Sequence, residues 1–288
     1  MERQAWNEIV ALLKEVHKPS EYLLYQFASV DIVRVILWAV LHDRPMSWAT
    51  KRENWPIHDR RRALPSNSTV SRRYRTARVR AVLMQIEERV LRPRGIPPLV
   101  AIVDGKPLPI GGCSKDKQAG YGRSARGKAR GYKLHAIIGS DNSLLEWRVA
   151  PMNKDERTMT ARMLRVSKHC GYILGDSNFD SNPLHQVCSK SDQKKQLVAR
   201  RRRGGVLGHH KHDPGRLRSV EILESPCTQF GQLLLQQRNS IERFFGNLTN
   251  SAGSLQCLPA WARTWNRVHR WVQGKLILNA IKQRTYGD

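Results

Sequence analysis

The first part of the chain has the hydrophobic spacing of α-helices. Its most apolar stretch, Tyr22 to Leu41, is interrupted by Gln26, Asp31 and Arg34. Because three polar interruptions make a membrane-spanning helix too costly, the stretch predicts one long buried helix, with Ser20 as its N-cap.

Helical spacing returns over residues 67–90, and the segment RPRGIPP follows at residues 92–98. Its prolines and glycine predict the end of that helix and a linker. We therefore predict a helical domain over residues 1–95 and a second domain over residues 96–288.

The second domain alternates strand-like and helix-like segments. Short β-rich runs occupy residues 99–103, 132–139, 144–150, 171–175 and 196–199. The second and third runs flank a polar turn, which predicts an antiparallel hairpin. Helical spacing over residues 154–167 and 183–189 separates the later runs, so the pattern predicts an α/β fold with a mixed five-stranded sheet flanked by helices.

The last third of the chain begins with a basic, Gly-rich segment. Residues 200–218 are too polar to form core and predict a loop, whereas residues 233–282 return to helical spacing. That helical region carries an apolar stripe at three- and four-residue spacing, formed by Trp261, Trp265, Val268, Val272 and Leu276.

The charge of the chain changes this picture, because it is strongly one-sided. The sequence has 50 Lys and Arg against 24 Asp and Glu, a formal net charge of +26. An excess this large favours a nucleic-acid partner over an anionic membrane. The five Cys are far apart and odd in number, and MERQAWNEIV lacks a signal-peptide pattern, so we expect reduced thiols in the cytoplasm and no membrane association.

Three carboxylates stand out by their setting. Asp104 follows the apolar run Val-Ala-Ile-Val, and Asp176 follows Tyr-Ile-Leu-Gly. Taken alone, the first could belong to an Asp-Gly turn and the second could cap a helix. Glu242 lies beside a helical apolar stripe, four residues after Arg238, with which it could form an ordinary ion pair. Together, three acids from two strands and a helix can converge on two divalent cations about 3.5–4 Å apart, which cleave and rejoin phosphodiesters.

The segments around these acids resemble the DDE transposases of bacterial insertion sequences. The similarity covers VDGKPL, RGYKLHAIIG, APMNKDE, LGDSNFDS and RNSIERFFGNL, from about residue 99 to residue 248. It implies an RNase H-like catalytic domain in which Asp104, Asp176 and Glu242 hold two Mg²⁺ ions, with Mn²⁺ able to substitute. Some families add a Tyr and a Lys around the Arg-Glu pair. Those positions are Leu235 and Thr249 here, so neither role is transferred.

The resemblance also implies an activity and partners. Such an enzyme binds the terminal repeats of its mobile element, cleaves double-stranded DNA there and joins the freed 3′-hydroxyl to target DNA. Because two ends must be held together, we expect a homodimer on DNA. The bacterial family implies a cytoplasmic, nucleoid-associated protein.

Several basic segments are candidates for DNA contact. Residues 65–75 resemble the start of a recognition helix, which with the preceding helices predicts a helix-turn-helix-like unit. The alternative is a solvated amphipathic helix with Val70, Tyr74 and Val79 inward. A Gly-rich basic segment over residues 115–130 predicts a loop that approaches DNA closely. The residues that we expect to contact DNA are Arg72, Arg73, Arg75, Lys128, Arg130, Lys133, Arg200, Arg201, Arg202, Arg203 and Arg238.

Two other functions fit the same features less well. A catalytically silent, sequence-specific DNA-binding protein derived from a transposase would not need all three acids. A simple nuclease would not need the basic helical unit before residue 95. A zinc site at His209, His210 and His212 lacks a nearby Cys pair.

Overall fold

The computed structural model describes residues 2–92, 95–112, 114–168, 171–191, 194–201, 207, 211–224, 229–250 and 254–286. By compactness the chain divides into two units. The first comprises Met1–Leu91, Asn250–Ser254 and Arg270–Asp288, and the second comprises Arg92–Thr249 and Leu255–His269. The division into domains at residue 95 stays a prediction.

The first unit is helical. Its helices before residue 92 are α1 (Glu2–Glu15), α2 (Ser29–Leu41), α3 (Met46–Ala49), α4 (Asn67–Arg73) and α5 (Ala77–Leu91). A cluster of indole rings forms part of its core: the ring centroid of Trp38 lies 4.6 Å from that of Trp6 and 4.9 Å from that of Trp55. Within the described residues no helix is long and apolar enough to cross a membrane.

The long helix predicted from Tyr22 begins later than expected. A short 3₁₀ turn occupies Pro19–Leu23, and α2 starts only at Ser29. The start is fixed by acids, because Asp31 accepts a hydrogen bond from the Ala28 N–H at 3.0 Å. The Ser29 N–H likewise donates to Glu21. These contacts satisfy backbone donors that would otherwise lack partners at the helix end.

The second unit contains a mixed sheet of six strands. They are β1 (Val100–Pro109), β2 (Gly120–Ser124), β3 (Gly127–Gly139), β4 (Leu144–Pro151), β5 (Gly171–Gly175) and β6 (Lys195–Ala199). β3 pairs antiparallel with β1 on one side and with β2 and β4 on the other. β5 runs parallel to β1, and β6 runs parallel to β5. The α/β class with a mixed, helix-flanked sheet is confirmed, with one strand more than predicted.

Strand β2 is the additional one, and it lies where the Gly-rich pattern predicted a loop. A Cβ on Gly120 would come within 2.2 Å of the Asn153 side chain, and one on Gly122 within 2.6 Å of Met152. The glycines that favoured a loop instead allow β2 to lie flat against the turn after β4, since no side chain stands between them.

Helices cover the sheet. They are α6 (Glu156–Val166), α7 (Asn182–Ser189), α8 (Pro214–Glu224), α9 (Gln229–Gln237) and α10 (Asn239–Thr249). One buried cluster joins side chains of β1, β5 and β6 to side chains of α6 and α7. The opposite face of β1 packs against α9 and α10.

In two segments the observed helices differ from those that the sequence predicted. Residues 200–218 are not entirely loop, because α8 begins at Pro214, where Asp213 accepts hydrogen bonds from the first turn. The helical region predicted over residues 233–282 divides into α9, α10 and α11 (Trp265–Tyr286). On α11, Val268, Val272 and Leu276 are buried as the stripe predicted, whereas the rings of Trp261 and Trp265 are 39 % and 40 % exposed.

Candidate active site

Two adjacent strands bring Asp104 and Asp176 together. Ile102 of β1 pairs with Leu174 of β5 in parallel register, and two residues further along each strand the chain reaches Asp104 and Asp176. Asp176 directly follows β5, as predicted. Asp104 lies inside β1 rather than at its end, paired with Ala136 of β3, so the Asp-Gly pair does not form a turn.

The carboxyl of Asp104 is held in an environment that disfavours its charge. Burial raises the pKa of Asp104 to about 6, and the negative charges of Asp176 and Glu156 add to that rise. The Gly105 N–H, which donates to Asp104 at 2.7 Å, and the cation of Arg238 oppose it. Asp176 and Arg238 are thus electrostatic neighbours of Asp104.

The loop that carries Asp176 is rigidly held. The Asp176 carboxylate accepts a hydrogen bond from the Asn178 N–H at 2.8 Å, so it also caps a 3₁₀ turn, as the alternative interpretation supposed. Arg157 donates to the Asn178 carbonyl at 2.7 Å. Four residues after Asp176, the buried carboxylate of Asp180 receives two hydrogen bonds of 2.8 Å from Arg216 of α8.

The paired hydrogen bonds from Arg216 to Asp180 form a clamp, the Asp180–Arg216 clamp, that keeps the Asp180 carboxylate charged. Burial alone would raise the pKa of Asp180, but the hydrogen bonds and charges of Arg216 and His185 outweigh burial and hold that pKa well below its usual range. The side chains of Asp180 and His185 are 3 % and 0 % exposed. A charged group this deeply buried is expected to depend on its partner.

Helix α10 packs against the face of the sheet that carries Asp104. Alternation along β1 puts Lys106 on the same face as Asp104, and the Lys106 ammonium donates to Thr249 at the end of α10. Glu242 itself lies exposed in the first turn of that helix. Arg238 lies between α9 and α10, not within one continuous helix. In the described part of the chain, no ion pair joins it to Glu242.

The structure brings two of the three predicted acids together, and the metal-binding triad stays a prediction. Among the residues that the structure describes, no three carboxylate, imidazole or thiolate groups stand close enough to form a metal cluster. Asp104 and Asp176 are adjacent, and Glu242 is on the neighbouring helix with its side chain in solvent. His209 and His210 of the proposed histidine site lie outside the described residues.

Sequence reasoning missed two residues beside the first aspartate. Lys106 is partly buried and has no acidic ion-pair partner in the described residues, and burial lowers its pKa. Glu156 forms an ion pair with Lys133 on the opposite face of the sheet, next to Gly105. The spacing of Lys106, two residues after Asp104 on one strand, was a signal that could have identified it.

The predicted DNA-contacting arginines of the first unit separate into two groups. Arg72 and Arg75 are exposed, and Ser66 caps α4 as the pattern predicted. Arg73 is 8 % exposed, donates to the Phe27 carbonyl at 2.6 Å and lies over the Tyr25 ring. Its predicted DNA contact is wrong, because its guanidinium is used to hold the unit together.

The predicted DNA-contacting cations of the second unit also separate into exposed residues and residues already bonded within the protein. Lys128 and Arg200 are exposed, whereas Arg130 donates to the backbone carbonyls of Asp116 and Ala119. Lys133 and Arg201 form ion pairs with Glu156 and Glu224. Arg202 and Arg203 lie outside the described residues. Lys133, with a side chain 14 % exposed and already paired, is not a free DNA-facing cation.

Comparison with known proteins identifies the family. A family model described as a transposase DDE domain matches residues 95–279. The chain belongs to the DDE transposase family. The cryo-EM structure of a piggyBac transposase synaptic complex with hairpin DNA is also similar to this transposase. Its TM-score is 0.48 and its identity 13 %, over 99 % of this chain and 73 % of that chain. A search of curated proteins gave no match.

The donor set of the transposase fits a divalent cation. Carboxylate oxygens are the ligands that Mg²⁺ and Mn²⁺ prefer. A cation between Asp104 and Asp176 would favour the ionised form that burial and mutual repulsion now disfavour. Members of this family generally use divalent metal ions. The pKa of Asp104 is raised mainly by burial and further by the negative charges of Asp176 and Glu156.

The raised pKa of Asp104 predicts a stability cost at neutral pH. A carboxyl whose pKa is higher in the folded than in the unfolded state loses stability as pH rises from about 4 through 6. Without added metal, Asp104→Asn should therefore stabilise the fold at pH 7 by roughly 1–3 kcal/mol. Urea unfolding from pH 4.5 to 8 checks this. The added unfolding free energy of Asp104→Asn should shrink toward pH 4.5. The matched change at an exposed acid, Glu8→Gln, should not stabilise the fold. Equal stability of Asp104→Asn and wild type at pH 7 would contradict the burial argument.

The Asp180–Arg216 clamp predicts that substitutions of these two residues are strongly coupled in their effect on the free energy of unfolding. Arg216→Met should cost about 3–5 kcal/mol of unfolding free energy, since it leaves a buried carboxylate without its partner. In an Asp180→Asn background the same change should cost much less. A double-mutant cycle by urea denaturation at pH 7 measures the difference, and additive losses would show that the clamp does not act as a unit.

Proposed function

We propose that this transposase binds the ends of its mobile element and catalyses metal-dependent cleavage and strand transfer of double-stranded DNA. The single observation that carries the proposal is the juxtaposition of Asp104 on β1 with Asp176 directly after the parallel strand β5, with α10, the helix that carries Glu242, packed against the same face. A rigid sheet presents two acidic ligands, and the adjacent helix can add the third.

The acidic residues serve as metal ligands in this proposal. Asp104, Asp176 and Glu242 would hold two Mg²⁺ ions, or Mn²⁺ in their place. When bound, these ions activate the attacking water or 3′-hydroxyl and stabilise the leaving oxygen. The Gly105 N–H orients the Asp104 carboxylate, and the Asn178 N–H orients that of Asp176, so neither ligand must be ordered during the reaction.

The cations near the triad hold the scissile strand. Arg238 is an electrostatic neighbour of Asp104, and Lys106 extends from the same face of β1. Lys106 uses one of its three N–H donors on Thr249, whose own hydroxyl donates to the Phe245 carbonyl at 2.6 Å. The ammonium is thus fixed in position with donors left for a phosphate oxygen.

Recognition of the element ends is assigned to the first unit. Arg72, Arg75, Arg78 and Arg80 are exposed on α4, α5 and the turn between them. Arg270 lies 3.7 Å above the Tyr74 ring, and burial together with the charges of Arg80 and Arg75 lowers its pKa. Exposed arginines concentrated on one surface support binding of a polyanion. Val70, Tyr74 and Val79 are buried as the amphipathic alternative required, and that packing leaves the arginines outside.

The remaining partners follow from the reaction. Cleaving and joining two ends requires them to be held together, so we propose a homodimer on DNA, acting on terminal repeats and on target DNA in the bacterial cytoplasm. The competing function is a silent DNA-binding relic, which the exposed Glu242 keeps in contention because the triad is not closed.

A cleavage assay tests the proposed activity. Purified protein is incubated with a plasmid that carries its own flanking DNA, in Mg²⁺ or Mn²⁺. Asp104→Asn, Asp176→Asn and Glu242→Gln should each reduce end cleavage by at least about 100-fold, since loss of even outer-shell groups costs roughly 10–100-fold at metal sites. Asp141→Asn, at an exposed turn, is the matched control and should cleave normally. Tight binding to the ends without cleavage in either metal would instead establish the silent relic.

Lys106 gives a second prediction. Lys106→Gln should lower the cleavage rate about 100-fold, as loss of one preorganised donor does elsewhere. Affinity for the element ends should change little, because most of the positive charge remains. Thr249→Val removes the hydroxyl that holds the ammonium and should lower the cleavage rate by a smaller factor. Lys154→Gln, an exposed lysine of the same unit, serves as control. Single-turnover cleavage and filter binding separate the two effects. A normal rate for Lys106→Gln would remove this residue from the site.

A further inference from the structure

We propose that the hairpin formed by β2 and β3 binds an unpaired nucleotide of the DNA substrate, with the ring of Tyr121 stacked on the base. The proposal rests on the proposed function, since it assumes that DNA is the substrate. It adds a surface and a substrate feature that the triad and the recognition arginines do not supply.

The hairpin presents one cationic and aromatic face. Tyr121 pairs with Arg130, and Arg123 pairs with Lys128, across the antiparallel ladder. Directly paired residues, and residues two apart on one strand, share a face of a sheet. The four side chains therefore lie together, one aromatic ring among three cations.

The aromatic ring is available to a ligand. Tyr121 is 61 % exposed, although a tyrosine ring of this size is ordinarily buried or half-buried. The Lys128 ammonium lies 5.7 Å and the Arg130 guanidinium 6.0 Å from its ring centroid. These distances are at the outer limit of cation–π contact, so both cations lie over the ring and still leave the tyrosine mostly exposed.

The reverse face of the hairpin is fixed. Gly120 and Gly122 lie against Asn153 and Met152 with no room for a side chain. On the front face, Arg130 donates to the backbone carbonyls of Asp116 and Ala119, which ties the base of the hairpin to the preceding segment. A face that is held from behind costs little conformational entropy when a ligand stacks on it.

The chemistry of the face selects single-stranded nucleic acid. No Asp or Glu occurs between Asp116 and Asp141, so the surrounding sequence offers no intramolecular acid to the cations. Phosphates of duplex DNA would satisfy the cations but leave the ring without a partner, because paired bases are stacked on one another. Cations that follow a backbone beside an aromatic platform are the arrangement that binds unpaired nucleotides. A nick at an element end releases one backbone constraint, so that the terminal nucleotides there can leave the stack and become unpaired.

Binding of short oligonucleotides tests the proposal. The full-length protein, without divalent metal, is titrated with a single-stranded oligonucleotide that contains 2-aminopurine and with its duplex form. Wild type should quench the fluorescence of the single strand. Tyr121→Ala should weaken single-strand binding about 10-fold and abolish the quenching, with duplex affinity nearly unchanged, while Tyr121→Phe should behave as wild type. Lys128→Gln should reduce the salt dependence of binding to both forms by about one ion, without loss of quenching.

The outcomes separate this proposal from the proposed function. Equal single-strand affinity of Tyr121→Ala and wild type, or equal losses on single strand and duplex, would overturn the stacking role. Quenching that persists in Tyr121→Ala would overturn it as well. If wild type binds and cleaves duplex ends while Tyr121→Ala shows no single-strand defect, the proposed function stands and only the stacking role fails. If wild type binds neither form of DNA, the proposed function itself fails. Circular dichroism melting of Tyr121→Ala confirms that it folds.

Discussion

The parallel pairing of β1 with β5 is the constraint on which the candidate site depends. It places two carboxylates side by side at a point where one of them is largely removed from water. Like charges so placed repel, and burial strengthens the repulsion because the surrounding medium screens it less. A fold selected for stability alone would avoid this arrangement. Under the proposed function, a cation that the two acids share would relieve this repulsion.

The neighbouring structure holds this unfavourable arrangement in place. Backbone N–H groups of Gly105 and Asn178 fix the direction of each carboxylate, and the Asp180–Arg216 clamp anchors the loop between β5 and α7. Lys106 stands on the same face but is bound to a threonine hydroxyl rather than to an acid. A lysine that neutralised Asp104 directly would compete with metal. Its position two residues further along the strand leaves the ammonium available for the phosphate contact that we propose.

Local sequence predicted much of this site because its essential features are local. An apolar run that ends in an acid identifies a strand and its exposed carboxylate, so Asp176 was placed correctly after β5. Asp104 was assigned to the strand end, whereas β1 continues to Pro109. The continuation depends on pairing with β3, a long-range contact that the short apolar run does not encode. The start of α2 was missed for a similar reason, since an acid eight residues earlier, Glu21, helps to fix it.

Charge was harder to predict, because a count of basic residues does not distinguish their uses. Arg73 carries the same local signal as Arg72, yet one is buried against Phe27 and Tyr25 while the other faces solvent. Arg216 lay in a segment that appeared too basic to fold, and it instead anchors α8 to a buried acid. In a chain with 50 basic residues some arginines must serve as internal hydrogen-bond donors, since the guanidinium satisfies several carbonyls or a carboxylate at once. The hairpin around Tyr121 is the opposite case. Its cations lie over an exposed ring and have no neighbouring acid in the sequence, so that surface, more than the total charge, is where we propose that an unpaired nucleotide binds.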